Sequence, residues 1–266
     1  MQNEARPVGN LLREWRQRRR LSQLDLALGA DISARHLSFV ETGRSVPSRE
    51  MLLHLAERLE VPLRERNGLL LAAGYAPAFR ERPLSDPALE AARQAVERLL
   101  AAHEPFPALA VDRHWSMLAS NQAAFRLFAG VAPALLQPPV NVLRLSLHPE
   151  GAAPMIANLA EWRAHIFARL GHQVDLTADP VLAELLRELR DYPAPESPEP
   201  AVERGGYEVV IPLQLVTPAG MLRLISTTTV FGTPVDITLS ELALETFFPA
   251  DAATASLLRS LAEARP

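Results

Sequence analysis

Residues 21 to 44, LSQLDLALGADISARHLSFVETGR, decide how this chain reads: two short helices joined by a tight turn. Ser22 is placed to cap the first helix, and Asp25, three residues on, completes a capping box. Leu26 and Ala27 supply its core face. Ala30 to Ile32 form the turn, where Asp31 is expected in a left-handed conformation that Asp tolerates better than most residues. Ser33 caps the second helix. Leu37 and Val40, three apart, bury one face and leave Arg35, Ser38 and Phe39 outward, the set that would enter a DNA major groove.

Upstream, Leu12, Trp15 and Arg16 have helical spacing, and Arg18, Arg19 and Arg20 are expected to close the last turn of that helix, where cations complement the dipole. Downstream, Gly43 stops the reading helix. Ser48 then caps a fourth helix with Leu52, Leu55, Ala56 and Leu59 inside, and Pro62 opens a fifth with apolar positions Leu63, Leu70, Leu71 and Ala73. Five helices in this span predict an all-α domain over residues 1–80.

The net charge of −4 says little until it is divided. Residues 1 to 82 hold 14 Arg against 10 acidic residues, or +4, and the remainder holds 13 against 21, or −8. All 27 basic residues are arginine, which suits bidentate phosphate or guanine contact but also follows from a GC-rich genome. With no cysteine, disulfides, thiolate metal sites and cysteine nucleophiles are excluded. No stretch approaches the roughly 18 apolar residues of a membrane span and no signal peptide is visible, so a cytoplasmic location is expected.

LSQ, an Ala four residues after Gln23, Ser33, the ETGR run and PS followed by an LA pattern resemble the lambda-repressor or Xre type helix-turn-helix. RHLSFVETGRSVPSREMLLHLAERLEVPLRERN followed by AAGYAP resembles, more narrowly, the MmyB-like transcription regulators. Asp31 departs from that pattern by replacing the usual turn Gly. Leu24 and Leu28 depart too, standing on an outer face where polar residues are commoner, and read as a docking patch or as tolerated surface leucines. The resemblance implies that Gln23, Thr42 and Arg44 hold phosphates while Ser33, Ala34, Arg35, Ser38 and Phe39 line the groove. Arg35 leads the base reading, since its fork matches guanine O6 and N7. Phe39 is placed for a thymine methyl. His36 reads equally as a groove or phosphate residue and as a solvated one. Arg16 and Glu41 resemble the ion pair that ties the first helix to the third.

Asp86-Pro87 starts a linker helix through Ala102, within residues 81–104, with Leu89, Val96, Leu99 and Leu100 as its buried face. A second domain is expected over 105–266. Alternating apolar residues around Asp112-Arg113 signal a hairpin, and Asn121 caps a short helix bearing Ala124, Phe125 and Phe128. This pattern resembles the opening of a PAS sensor domain. NVLRLSL at 141–147 resembles the short Asn-x-x-Arg segment of the MmyB-like family. Helices are expected over 153–170, with Leu159, Trp162, Ile166 and Leu170 on one face, and over 180–190. Residues 193 to 205 read as a proline-rich, acidic, mobile loop. From Tyr207 the period becomes two: a long hairpin turns at Pro218 to Gly220, with Ile211, Leu213 and Leu215 facing Leu222, Leu224 and Ser226. A further strand is expected around 236–245, and a capped helix from Asp251. The fold class is therefore an N-terminal all-α five-helix helix-turn-helix domain followed by an α+β PAS-like domain with an antiparallel sheet.

The seven histidines show no HExxH or close helical pair, and no phosphate loop, GxSxG or GxGxxG is present. Glu241 and Glu245 read as surface charges. Neither an enzyme nor a metal site is expected. The resemblance implies an apolar cavity for a fatty acid or similar lipid, with no other cofactor. Its lining candidates are Trp115, Phe125, Phe128, Trp162, Ile166, Leu213, Leu224 and Phe231, each of which also reads as ordinary core, and Arg144 or His165 is placed to hold a head group, Arg144 reading equally as a structural partner of the Asn141 loop. The chain so read is a homodimeric, ligand-responsive regulator of double-stranded DNA. The alternative keeps the DNA head and makes the second half a dimerisation or protein-interaction module without ligand.

Overall fold

A computed structural model describes residues 6–128, 130–193 and 211–263. Contacts divide the chain into a helical unit, Met1–Arg82 with Asp175–Thr177 and Thr233–Ser240, and a sheet unit, Pro83–Val174, Ala178–Gly232 and Glu241–Pro266.

In the helical unit α1 (Val8–Arg18), α2 (Gln23–Gly29), α3 (Ala34–Glu41), α4 (Arg49–Arg58) and α5 (Leu63–Ala72) surround a core of Leu12, Leu26, Leu37, Val40, Leu52, Leu55 and Leu70, each at most 1 % exposed. Local chemistry sets their ends. Ser22 accepts the Asp25 amide while Asp25 returns a bond to the Ser22 amide, a complete capping box. Ser33 and Ser48 cap α3 and α4 through the His36 and Met51 amides. Asp31 takes the left-handed conformation at φ 52°, and Gly43 does so at φ 73°, just past α3. At Gly9 a Cβ would stand 2.3 Å from the Val40 carbonyl oxygen, so glycine alone lets α1 approach the end of α3.

Two expectations fail at helix ends. Arg19 and Arg20 lie past α1, with Arg20 at φ 56°, because the chain turns there into α2. In α5 it is Leu69 and Leu70 that are buried, whereas Leu71 is 60 % exposed. The strand expected around 236–245 is also corrected. Asp236 accepts the Thr238 amide and starts α11 (Ile237–Ser240), and it pairs with Arg82 at 3.1 Å, so strand structure begins only at Ala243.

In the sheet unit α6 (Glu90–Ala102) lays Val96 and Leu100 on β1, with Leu99 half exposed rather than buried as expected. β1 (Ala108–Val111) and β2 (Met117–Ser120) form the expected hairpin. Short α7 (Gln122–Leu127) and α8 (Val142–Leu147) follow. Asn121, 7 % exposed, accepts the Ala108 and Ala124 amides and donates to the Leu100 and Phe106 carbonyls, joining α6, β1 and α7 through one side chain. The helix expected over 153–170 is interrupted, since Ile156 bridges to Leu215 and Asn158 bonds Pro212 and Gln214. α9 then runs over Leu159–Thr177 and α10 over Pro180–Asp191.

β3 (Leu213–Thr217) and β4 (Gly220–Val230) pair as Leu213 with Leu224 and Leu215 with Leu222, the expected hairpin, although Ile211 precedes the strand. With β5 (Ala243–Pro249) they complete an antiparallel sheet, order β2-β1-β5-β4-β3 among the described residues. Asp251 caps the final helix, α12 (Ala252–Glu263), through the Thr254 amide. The fold is thus a helix-turn-helix domain followed by an α+β PAS-like domain. Apart from Pro193, the loop expected over 193–205 lies outside the described residues, as does the start of the strand expected from Tyr207.

Candidate DNA-reading face and ligand cavity

α3 carries the outward face of the helical unit. Leu37 and Val40 anchor it in the core and Arg35 is exposed. The Phe39 ring lies under two guanidinium groups, Arg35 at 5.4 Å and Arg44 at 5.8 Å from its centroid. This cation–π stacking holds both cations in place at the cost of little solvation. Neither guanidinium makes a hydrogen bond or ion pair among the described residues. Both guanidinium groups keep their hydrogen-bond donors.

The base of that face is a buried pair. Arg16 donates to Glu41 at 2.6 and 3.0 Å and to the Leu21 carbonyl at 2.8 Å. The hydrogen bond to Glu41 raises the Arg16 pKa above its ordinary value, outweighing the effect of burial. This is the structural pair expected from sequence.

The remaining candidates divide. The Gln23 amide donates one proton to Glu41 at 2.8 Å, which orients it and leaves the second proton. The Thr42 hydroxyl donates back to the Ser38 carbonyl at 2.7 Å, so its proton is occupied within the helix. Ser33 is engaged as a cap, Ala34 packs against the core, and His36 turns toward Met51, with Nε2 3.2 Å from the sulfur. Leu24 and Leu28 are 58 % and 71 % exposed, on the outer face as expected.

The sheet unit is hollow. A cavity of about 110 Å³ lies between the sheet and the helices α7, α8 and α9. One water needs only about 10–15 Å³. Among the sequence candidates Trp115, Phe128, Trp162, His165, Ile166 and Leu213 line it. The other four do not. Phe125 is 61 % exposed, Leu224 is fully buried in the core beside its cross-strand partner Leu213 without reaching the lining, and Phe231 packs beside α6. Arg144 is turned away into an ion pair with Glu188, at 2.8 and 2.7 Å, which raises its own pKa and holds Glu188 below the usual carboxylate range.

The polar wall contains what sequence reasoning missed. Arg169 donates to both oxygens of Glu245, at 2.9 and 2.6 Å, and to the Thr228 hydroxyl at 2.6 Å, and its guanidinium lies 4.5 Å from the Trp115 ring centroid. Glu245, read as a surface charge, is 3 % exposed because the β5 alternation turns it inward toward α9. His165 stacks on Trp162, and burial, followed by the nearby Arg169 charge, lowers its pKa. Ser146 accepts the Trp162 indole N–H at 2.9 Å, and Ser226 also lines the wall. One signal was available: Arg169 follows Trp162 and Ile166 at helical spacing, a charge on an otherwise apolar stripe.

Residues 12–66 match the helix-turn-helix family model, and residues 92–261 match that of the MmyB-like transcription regulator ligand binding domain. No curated protein matches the chain significantly. Among the described residues no helix is long and apolar enough to cross a membrane.

Proposed function

Because the chain belongs to the MmyB-like transcription regulators, which makes it a DNA-binding regulator with a ligand-binding domain, we propose how each part acts. α3 reads base edges with Arg35 in the lead and Ser38 and Phe39 beside it, while Gln23 and Arg44 grip phosphate and Thr42, whose hydroxyl proton goes to the Ser38 carbonyl, closes the end of the helix. The observation that carries this is the Phe39 platform, which presents Arg35 and Arg44 side by side on one exposed face. His36 is demoted by its turn toward Met51, and Ser33 and Ala34 shape the helix start more than they contact bases.

The cavity takes an apolar small molecule with an acyl-like chain, as a fatty acid or a derivative of one, held by burial at about 0.8 kcal/mol per methylene. Its apolar wall of Leu109, Ile156, Trp162, Ile166 and Leu213 supports this over the alternative of a filled interaction module. The protein acts in the cytoplasm as a homodimer on two related half-sites about one helical turn apart.

Binding-site selection tests the reading head. Arg35→Ala is expected to relax preference at one base pair per half-site, by about 1–3 kcal/mol, and unchanged selectivity removes Arg35 from base reading. Arg44→Ala is expected to weaken all sequences alike and lower the slope of log affinity against log salt by about one. Organic extraction of the purified chain with mass spectrometry tests the cavity, an empty extract together with no thermal shift on adding acyl compounds favouring the interaction module.

A further inference from the structure

The polar wall of the cavity decides what kind of head group it accepts. Three charged or titratable groups face it: Arg169 and His165 from α9 and Glu245 from β5. From β4 and α8 come only the hydroxyls of Ser226 and Ser146, while Thr228 bonds Arg169 from outside the lining. Arg169 is the one cation in the cavity wall among the described residues, and each of its terminal nitrogens donates to Glu245, Nη2 also to Thr228, so that the charge of one neutralises the other.

A ligand carboxylate brought to Arg169 meets the Glu245 carboxylate already bound there. It must displace a buried partner or sit beside a like charge, and either is unfavourable in a site of low polarity. A ligand ammonium meets Arg169 in the same way. The groups not committed to one another are neutral. Among the described residues neither the His165 ring nor the Ser226 hydroxyl makes a hydrogen bond, and the Ser146 hydroxyl keeps its proton after accepting from Trp162. Together they can donate to a carbonyl or accept from a hydroxyl.

Resting on the reading of the cavity as a site for an apolar ligand, we infer that it selects an uncharged head group: an alcohol, ketone, amide or ester, or a carboxylic acid that enters protonated. Arg169 and Glu245 neutralise each other and form the floor of the subsite, and His165, Ser146 and Ser226 make the hydrogen bonds. A fatty acid therefore binds only by taking up a proton, and its affinity follows the small fraction that is un-ionised.

The test uses the full chain and three probes of equal chain length, 1-decanol, decanamide and decanoic acid, titrated against a displaceable apolar fluorophore between about pH 7 and 9. In that range His165, with its lowered pKa, stays neutral. The expected result is pH-independent binding of decanol and decanamide and an affinity for decanoic acid that falls about tenfold per pH unit, as linkage to one proton requires. Decanoic acid binding as tightly as decanol across the range, or more tightly at the upper end, overturns the inference while leaving the cavity a ligand site. Failure of all three probes to bind overturns the ligand reading itself. Glu245→Gln supplies a second arm: with Arg169 released, decanoic acid is expected to gain at least tenfold over decanol at the alkaline end, and an unchanged preference in a folded variant counts against the inference. If that variant does not fold, the pH series on the unaltered chain decides alone.

Discussion

The helical unit and the sheet unit each bury one arginine–glutamate pair, and the two are set differently. Around Arg16 and Glu41 the interior is filled, and the side chains are only 10 % and 1 % exposed. Around Arg169 and Glu245 it is hollow, and Arg169 keeps 29 % of its side-chain surface while Glu245 keeps 4 %. The first pair locks α1 to α3 and is spent on architecture. The second sits in the wall of a cavity and sets the charge that an entering molecule meets. The same two residue types, bonded in nearly the same way, act as a rivet where packing is complete and as a filter where it is not.

The largest expected effect tests the rivet. Glu41→Ala strands Arg16 in the core and orphans the bond from Gln23, so a loss of about 3–5 kcal/mol is expected in the helical unit, read by native-state hydrogen exchange of its amides. Removing Glu245 is expected to cost the sheet unit less, because Arg169 retains Thr228 and some solvent. Equal losses break the contrast.

Packing provides the next test. Ala27 and Ala124 are each 1 % exposed, but Ala124 borders the cavity and Ala27 does not. Ala27→Leu is expected to cost about 1–3 kcal/mol of overpacking strain. Ala124→Leu has space to grow into, so its thermal unfolding should barely move while affinity for an apolar probe falls about tenfold. A comparable loss of stability at both positions shows that the hollow is not kept open.

The smallest effect sharpens the picture of the helical unit alone. Ser22→Ala removes one exposed cap and should cost about 1 kcal/mol in urea denaturation, with Ser22→Gly closer to neutral. A loss several times larger means that α2 depends on its cap more than on Leu26 and Ala27.

The helical unit was largely legible because its instructions are local. Ser22, Ser33, Ser48 and Asp31 act within three or four residues, and the Leu37 and Val40 spacing names a buried face without knowledge of the partner. The hairpins of the sheet unit were legible for the same reason. What escaped depends on partners distant in sequence. Glu245 is inward only because α9 supplies Arg169 across 76 positions, and Arg144 leaves the cavity only because α10 supplies Glu188. Leu71, Leu99 and Phe125 lie on helical faces that periodicity marks as apolar but that nothing among the described residues covers fully, and each is at least half exposed there. Asp236 read as strand because its role, capping a single helical turn and meeting Arg82, follows no period.

The ring of Phe39 under Arg35 and Arg44 has a consequence in time as well as in contact. A long side chain that must be immobilised on docking costs about 0.5–1.5 kcal/mol of rotamer freedom. Two guanidinium groups already resting on one aromatic face have surrendered part of that freedom before DNA arrives. The saving belongs to the bound state, and within one interface such differences appear chiefly as slower departure rather than faster arrival. If the proposed reading head is right, a Phe39→Leu variant, keeping bulk without the π-face, is expected to shorten the dwell on DNA at an almost unaltered rate of association.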